Sequence, residues 1–502
     1  MSLESDLNEL RHKLTETSTL ENVEALAGWD QATYMPHGAA EERGEQMGAL
    51  AAIIHEKRTS DELGSLLEEL APLAEQMDPD SDDASLIRVA RHDFLKEKKV
   101  PIDWVTEFAQ ATSVGQTAWE TAKATNDFEL FRPHLEHILE LKKAYTGFFR
   151  PFEHPYDALL DDFEPGMKTS EVIAIFNQLR PAQIALLRAI QERPAPDDHF
   201  LNGDFPQANQ WNLTLEALRL IGFDFDRGRQ DYSVHPFTTS LGPNDVRITT
   251  RIDPHDPLSA LLSSIHEGGH ALYDQGYPVS LRRTPLAEGA SLGVHESQSR
   301  LWENCIGRSL PFWTFFYPRF QSAYAPQFDG ISLDDFYHAL NKVTPSFIRT
   351  EADEATYNLH IMLRFDLELE LLEGKLAVSD LPKAWGERSR EYLGITPPDD
   401  SHGVLQDVHW SGGMFGYFPT YALGNVISAQ LWETAHKDIP DLDEQIRQGH
   451  LGVLVEWLRL HVHRFGRKFE PQELVRRATG SRIDPSPYLR YLQGKYGELY
   501  RL

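Results

Sequence analysis

The sequence predicts a mainly α-helical fold with a small antiparallel β-sheet. Across most of the 502 residues, apolar side chains recur at intervals of three and four, the spacing of one face of an α-helix. Strand-like alternation is confined to one stretch, in which Val246, Ile248, Thr250 and Ile252 are separated by polar residues. A hydrophobic content of 41% in a chain of this length can support one large body, or two lobes around a deep groove.

The N-terminal part, residues 1 to about 150, is predicted to be helical. The intervals of three and four begin at Leu7, Leu10 and Leu14 and are rarely interrupted. Prolines and a glycine between residues 151 and 166 end this region. Helices are then predicted again at residues 172–187 and 213–221.

Residues 231 to 252 are predicted to form the small antiparallel sheet, because the turn at residues 241–245 precedes the alternating segment. This sheet leads directly into a helix, so one of its strands is expected to line the groove. Helices dominate the remainder of the chain, with examples at residues 333–343, 355–372 and 451–465.

The most informative segment is the pentapeptide His266-Glu267-Gly268-Gly269-His270, which lies inside a predicted helix. Asp256 and Pro257 supply an N-cap and a first-turn proline, and Gly276-Tyr277-Pro278 ends the helix. Histidines four residues apart lie one above the other, about 6 Å along the helix axis. Both imidazoles can therefore bind one tetrahedral Zn²⁺, and Glu267 is placed as a general base for the water that zinc activates.

Gly268 and Gly269 are unusual in a helix interior, because each costs about 1 kcal/mol relative to alanine. Two explanations are open. The missing side chains could let a substrate approach the metal, or they could let a neighbouring helix pack closely.

A catalytic zinc needs a third protein ligand. Glu296, in the segment Gly293 to Gln298, is the leading candidate because it lies in the next predicted helix. Glu288, His295 and Glu303 compete with it on spacing alone.

Composition and charge disfavour several classes of partner and location. The formal net charge of −29 repels nucleic acids and anionic membranes. Cys305 is the only cysteine, so no internal disulfide and no cysteine zinc site can form. The polar, acidic N-terminus and the lack of an uninterrupted apolar run of 18 residues disfavour secretion and membrane anchoring. A cytoplasmic location is therefore expected.

The sequence resembles the carboxypeptidase Taq family of zinc metallocarboxypeptidases. The resemblance rests on six separated motifs in the family's order: His235-Pro236-Phe237, Asp245-Val246-Arg247-Ile248-Thr249, the pentapeptide at residues 266–270, His295-Glu296-Ser297-Gln298, Ile348-Arg349-Thr350-Glu351-Ala352-Asp353 and Gly403-Val404-Leu405-Gln406-Asp407-Val408-His409-Trp410.

The resemblance implies that Glu296 is the third zinc ligand and Glu267 the general base. It implies a saddle-like helical body with a deep active-site groove, a homodimer, and release of single amino acids from the free C-terminus of peptides with broad specificity. Residues 1–502 would then form a single catalytic domain, with a zinc-site and cleft region at about 230–425. Co²⁺ is a possible substitute for Zn²⁺.

The tetrahedral intermediate needs an oxyanion donor besides the metal. The segment from Gly416 to Tyr421 looks like the tyrosine-bearing segments of other helical zinc peptidases. Tyr421 is the favoured donor with His409 assisting, and Tyr417 is the alternative. Packing in a core would equally explain any one of these aromatic side chains.

A carboxypeptidase must also bind a free carboxylate, which the planar fork of arginine does well. Arg349 and Arg247 are candidates because both lie in family motifs, with Arg349 ahead. Structural ion pairs with Asp353 and Asp245, respectively, are the competing interpretations. His235 is expected near the groove.

Two other functions compete with this one. A helical zinc oligopeptidase that cuts internal bonds of short peptides would share the metal site and lack the carboxylate anchor. The second is a non-catalytic scaffold with a structural metal. A structural metal site needs no general base and usually fills its fourth coordination position with a protein ligand, so the presence of Glu267 argues against this function.

Overall fold

The computed structural model describes residues 3 to 502, and its N-terminal part is helical as predicted. Serine side chains cap two of these helices, with Ser60 accepting from the Leu63 N–H and Ser81 from the Ala84 N–H. The helices are α1 (Leu3–Thr33), α2 (Ala40–Arg58), α3 (Asp61–Ala74), α4 (Asp82–Lys98), α5 (Ile102–Thr125) and α6 (Phe128–Gly147).

Three further helices precede the sheet. The predicted segments at 172–187 and 213–221 lie within the second and third of them, so both predictions are confirmed. The helices are α7 (Tyr156–Leu160), α8 (Thr169–Gln191) and α9 (Gln207–Ile221).

The sheet is small, as predicted, but it is mixed and not purely antiparallel. Its strands are β1 (Gly228–Tyr232), β2 (Thr238–Ser240) and β3 (Val246–Thr250), in the spatial order β1-β3-β2. β2 runs antiparallel to β3, whereas β1 is parallel to β3, with Gly228 opposite Val246. The antiparallel expectation was wrong for β1 because the chain crosses to the far edge of β3 after β1, so β1 and β2 never pair.

Helices form most of the chain after the sheet, and the predicted segments at 333–343, 355–372 and 451–465 correspond to three of them within a few residues. The helices are α10 (Ser259–Gln275), α11 (Leu292–Arg300), α12 (Leu310–Ala323), α13 (Leu333–Leu340), α14 (Tyr357–Leu372), α15 (Leu381–Leu393), α16 (Pro419–Asp438), α17 (Leu442–Arg447), α18 (Gly452–His461), α19 (Pro471–Thr479) and α20 (Ser486–Tyr500). A π-helical segment, Leu301–Ile306, continues α11.

The helix that carries the pentapeptide, α10, starts later than expected. The Asp256 carboxylate accepts hydrogen bonds from the N–H groups of Leu258 (2.9 Å) and Ser259 (3.1 Å). Asp256 therefore accepts the bonds of an N-cap in the turn before the helix, but the helix itself begins only at Ser259, so Asp256 and Pro257 precede it and do not occupy its N-cap and first position as predicted. The helix ends at Gln275, and Gly276 follows it as predicted.

Most of the buried hydrophobic side chains among the described residues belong to one large core or to one small core. The large core runs from Ala122 to Tyr500, whereas the small one joins leucines of α1 and α3 to Leu281 and Leu286. A groove of about 2340 Å³ is lined by α1 and α5 as well as by β2 and α10. Among residues 3 to 502, no helix has both the length and the apolar character needed to span a bilayer.

Candidate functional site

The groove collects all but one of the residues predicted to form the site. Those that line it are His235, His266, Glu267, His270, Glu296, Arg349, His409, Tyr417 and Tyr421. They come from the loop before β2, from α10, α11 and α16, and from the segments around residues 349 and 409 to 417, so the site depends on several distant parts of the chain.

Three side chains could together hold a metal ion. The Glu296 Oε2 atom lies 3.4 Å from His270 Nε2 and 3.7 Å from His266 Nε2. One ligand atom from each of the three residues lies within 4.8 Å of the other two, and no other such group of histidine, cysteine, aspartate or glutamate occurs among the described residues. The two histidines lie on α10 and Glu296 on α11, so the site spans this helix pair.

Close packing of α10 against its neighbours explains the two adjacent glycines. A Cβ atom on Gly268 would lie 2.8 Å from the Leu218 and Ile221 side chains of α9. One on Gly269 would lie 2.6 Å from Ser299 Cα on α11. Of the two explanations left open by the sequence, the structure supports helix packing.

Gly269→Ala should therefore push α10 and α11 apart and weaken both folding and metal retention. Overpacking typically costs about 1 to 3 kcal/mol, and here the clash is with backbone, which yields less easily than a side chain. Denaturant unfolding and metal content after dialysis would measure the two effects. The control is Gly494→Ala in α20, where a Cβ meets no atom within 4 Å. In Gly494→Ala, the higher helix propensity of alanine should raise the free energy of unfolding by up to about 1 kcal/mol. If both variants lost equal stability, the packing argument would be contradicted.

The Glu296 carboxylate is held in its ionised form. Arg300, one turn later on α11, donates from Nε to Glu296 Oε1 at 2.6 Å. Burial alone would raise the pKa of Glu296, but Arg300 and His266 outweigh it and hold the pKa well below its usual range. A Cβ on Gly424 would lie 2.5 Å from Glu296 Cγ, so α16 backs this side chain directly.

The three competing ligand candidates lie outside the group. Glu303 contacts the Nδ1 atom of His266, with Oε2 2.9 Å away. Burial would raise the pKa of Glu303, but Arg300 and His266 outweigh burial and lower this pKa to about 2. His295 contacts the Nδ1 atom of His270. Glu288 also lines the groove, but its carboxylate pairs with Arg467 at 3.6 Å.

Glu267 is buried and oriented by the sheet. The Thr238 hydroxyl of β2 donates to Glu267 Oε2 at 2.6 Å, and Thr238 lies directly after the motif His235-Pro236-Phe237. Sequence reasoning missed this threonine, although its position next to a motif was a signal. The prediction that a strand lines the groove is confirmed, since all of β2 does so.

His409 and Tyr421 contact each other at the groove wall. His409 Nε2 lies 3.2 Å from the Tyr421 hydroxyl, and the Tyr417 and Tyr421 rings are 5.3 Å apart. Burial lowers the pKa of His409 to about 4, so this imidazole is neutral at neutral pH. Burial also raises the pKa of Tyr421 well above its usual value, so its phenol stays protonated and can donate.

Arg349 is buried and partly engaged. It donates three of its five N–H groups, two to Asp407 (3.1 and 2.8 Å) and one to the Tyr357 hydroxyl (2.8 Å). Arg364 binds the other oxygen of Asp407 at 2.6 Å. Two guanidinium groups thus share one carboxylate, which leaves one positive charge uncompensated within this cluster. The ion-pair partner is Asp407 and not Asp353, whose carboxylate accepts backbone N–H groups.

Neither Asp407 nor Arg364 was singled out from the sequence. Asp407 lies in the last motif, which was a usable signal. Arg364 is fully buried on α14, and nothing in the local pattern indicates its partner. Arg300 was also missed, although its spacing of four residues from Glu296 is that of a helical ion pair.

Arg247 is the predicted residue that the structure does not bring into the groove. Its guanidinium binds Asp245 at 2.8 and 2.9 Å and lies over the Trp29 ring at 4.4 Å. The ion pair weighed as the alternative for this residue is thus present. His235 is exposed and lies at the groove lining, as expected.

The chain is similar to known metallopeptidases over nearly its full length. Residues 9–496 match the family model described as carboxypeptidase Taq (M32) metallopeptidase. The chain is 42% identical to carboxypeptidase 1 of Bacillus subtilis over 479 residues, which is 95% of each chain. It is 41% identical to thermostable carboxypeptidase 1 of Thermus thermophilus over 495 residues, which is 97% of each.

A solved structure supports the same assignment. The crystal structure of an M32 carboxypeptidase from Deinococcus radiodurans matches with a TM-score of 0.97 and 42% identity, covering 99% of this chain and 100% of that one. The fold, the three-ligand group and the matches over nearly the full length agree. The chain therefore belongs to the carboxypeptidase Taq (M32) family and is a metallocarboxypeptidase.

Proposed function

We propose that this enzyme uses zinc to release single amino acids from the free C-terminus of peptides, with broad residue preference. The observation that carries the proposal is one groove that is lined by a three-ligand group, by the Glu267 carboxylate and by Arg349, whose cluster with Asp407 and Arg364 has excess positive charge. The alternative of an oligopeptidase that cuts internal bonds is not favoured, because such an enzyme needs no such cluster.

Zinc suits the donor set of His266, His270 and Glu296. In a tetrahedral site with bonds of 2.0–2.1 Å, ligand atoms lie about 3.3 Å apart. The contacts of 3.4 and 3.7 Å to Glu296 Oε2 are close to this spacing. Two imidazoles and one carboxylate also leave the fourth position open for water. Co²⁺, with similar ligand preferences, could substitute.

We assign the proton transfers to Glu267. A bound zinc ion would polarise the scissile carbonyl and lower the pKa of the attacking water. Glu267 takes the proton from this water and returns it to the leaving amino group. The hydrogen bond from Thr238 holds the carboxylate in place for both transfers.

We assign oxyanion stabilisation to Tyr421, with His409 beside it and Tyr417 as the alternative donor. The protonated Tyr421 phenol can donate a hydrogen bond to the developing negative charge. Neutral His409, within 3.2 Å of the hydroxyl, orients it.

We assign recognition of the substrate carboxylate to Arg349. Two of its N–H groups have no partner among the described residues and the uncompensated charge of its cluster favours an anion. Arg247 is left out of this assignment because Asp245 and Trp29 occupy its guanidinium. His235 is exposed at the groove lining, where a peptide could contact it.

Amidation of the substrate C-terminus tests the proposed function. It removes the charge that Arg349 would bind, so the unaltered enzyme should cut free peptides and leave most amidated ones intact. Arg349→Ala should lower kcat/KM for free peptides and barely change the slow reaction of amidated ones. Mass spectrometry of a mixed peptide set over time would measure both.

The matched control is Arg180→Ala, which removes a half-buried arginine paired with Asp366 at 2.9 Å outside the groove. It should leave the preference for free peptides unchanged. Equal cleavage of free and amidated peptides by the unaltered enzyme would contradict the carboxypeptidase mechanism proposed here.

We further propose that residues 1–502 form one catalytic domain, that two copies form a homodimer and that the enzyme acts in the cytoplasm. The match to one family model from residue 9 to 496 supports the first of these. The single cysteine, Cys305, is buried, which is compatible with a reducing compartment. Analytical ultracentrifugation would test the dimer.

A further inference from the structure

The Nδ1 atoms of the two histidine ligands, His266 and His270, contact different chemical groups. His266 Nδ1 contacts a carboxylate, Glu303, at 2.9 Å. His270 Nδ1 instead contacts Nδ1 of another histidine, His295, at 2.6 Å. On its far side, His295 Nε2 lies 3.0 Å from Asp274 Oδ1. A chain of three side chains therefore runs from Asp274 through His295 to His270.

The direction of these hydrogen bonds follows from the role of His270. A neutral imidazole carries one proton, so one ring nitrogen donates and the other accepts. If Nε2 of His270 offers its lone pair to a metal, the proton must lie on Nδ1. His295 Nδ1 must then accept this proton's hydrogen bond, which places the proton of His295 on Nε2. That nitrogen is the one that faces the Asp274 carboxylate, so all three groups are mutually consistent.

We propose that His295 and Asp274 are positioning residues that hold His270 in its metal-binding tautomer, a role that rests on the proposed metal site. Asp274 accepts the N–H of His295 and thereby keeps the other nitrogen of that ring free of a proton. His295 then accepts the N–H of His270 and directs the lone pair of His270 into the groove.

The surroundings support a dedicated arrangement. Asp274 is buried, and among the described residues its only ion-pair contact is His295. It lies four residues after His270 on α10, so helix geometry places both on one face. His295 directly precedes Glu296 on α11 and its ring packs against Tyr273 at 5.3 Å. The same helix pair thus carries the ligands and the residues that orient one of them.

Zinc affinity of the metal-free protein, measured by competition with a chromophoric chelator, tests the proposal without any turnover. Outer-shell partners of metal ligands typically contribute about 10-fold to 100-fold in affinity. His295→Leu removes the acceptor and should weaken zinc binding by this amount. His295→Gln keeps an acceptor oxygen and should recover much of the loss.

The control is His463→Leu, another buried histidine that packs against Tyr273 but touches no ligand of the metal. It should perturb folding without changing zinc affinity. Equal losses of affinity in His463→Leu and His295→Leu would overturn the proposal, since they would show a general packing effect.

A double-mutant cycle tests whether Asp274 acts on His270 through His295, an arrangement called the relay below, or whether Asp274 and His295 affect zinc binding independently. Asp274→Leu alone should weaken zinc binding, and adding it to His295→Leu should cost nothing more, because Asp274 acts through His295. Additive losses would overturn the relay. If His295→Leu does not fold, Asp274→Leu and His295→Gln carry the same test. An unaltered protein that binds no zinc would overturn the metal site itself, whereas tight binding unchanged in every variant would overturn only the relay.

Discussion

Glu267→Gln is expected to lower kcat by at least about 10²-fold while the metal stays bound, on the usual scale of acid–base contributions. The amide has nearly the shape of the carboxylate and can still bond to the Thr238 hydroxyl, so the fold and the groove should persist. It cannot accept a proton from the attacking water. This variant should therefore keep its metal and lose its catalytic rate.

Metal analysis together with single-turnover kinetics would measure this separation. The matched control is Glu120→Gln on α5, which removes another carboxylate from the groove lining. Thr238→Val should give a smaller loss than Glu267→Gln, because it disturbs only the orientation of the base. Near-normal turnover in metal-loaded Glu267→Gln would mean that another group takes the proton.

Glu296→Gln is expected to lose metal and activity together. A neutral amide is a poorer ligand than a carboxylate, so zinc affinity should fall by more than the roughly 10-fold to 100-fold typical of outer-shell partners. The change also removes the negative charge that Arg300 binds at 2.6 Å, which leaves Glu303 as the only carboxylate paired with that guanidinium among the described residues. Zinc content after dialysis and thermal unfolding would report the two effects.

Glu303→Gln is the comparison for this variant, because Glu303 contacts His266 from behind. Its loss of zinc affinity should stay in the outer-shell range. Full zinc occupancy in Glu296→Gln would move the third ligand to Glu303 or Glu288, the carboxylates that compete with it in sequence.

Local patterns were enough to predict much of this protein. Helical periodicity predicted α8, α9 and α14, and the spacing of His266 and His270 placed both on one helical face. These inferences succeed because the repeat of an α-helix depends on neighbours in sequence. The limits of α10 were predicted within a few residues, since capping is also local.

Relations between distant segments were beyond such patterns. The parallel pairing of β1 with β3 depends on which edge of β3 the chain reaches, and no turn signal encodes that choice. Gly269 could have served either substrate approach or close helix packing, and only the position of α11 next to it distinguishes these two reasons. The sequence around Arg364 does not indicate that this residue is fully buried and paired with Asp407.

The sequence by itself therefore determined the helical class, the helix that carries His266 and His270 and, through its six motifs, the family. Only the tertiary structure decided that Arg349 shares Asp407 with Arg364, that Arg247 lies outside the groove and that His295 stands behind His270. The physical reason is that each of these contacts joins residues far apart in the chain. Its geometry is set by the packing of whole helices and not by the spacing of residues along one of them.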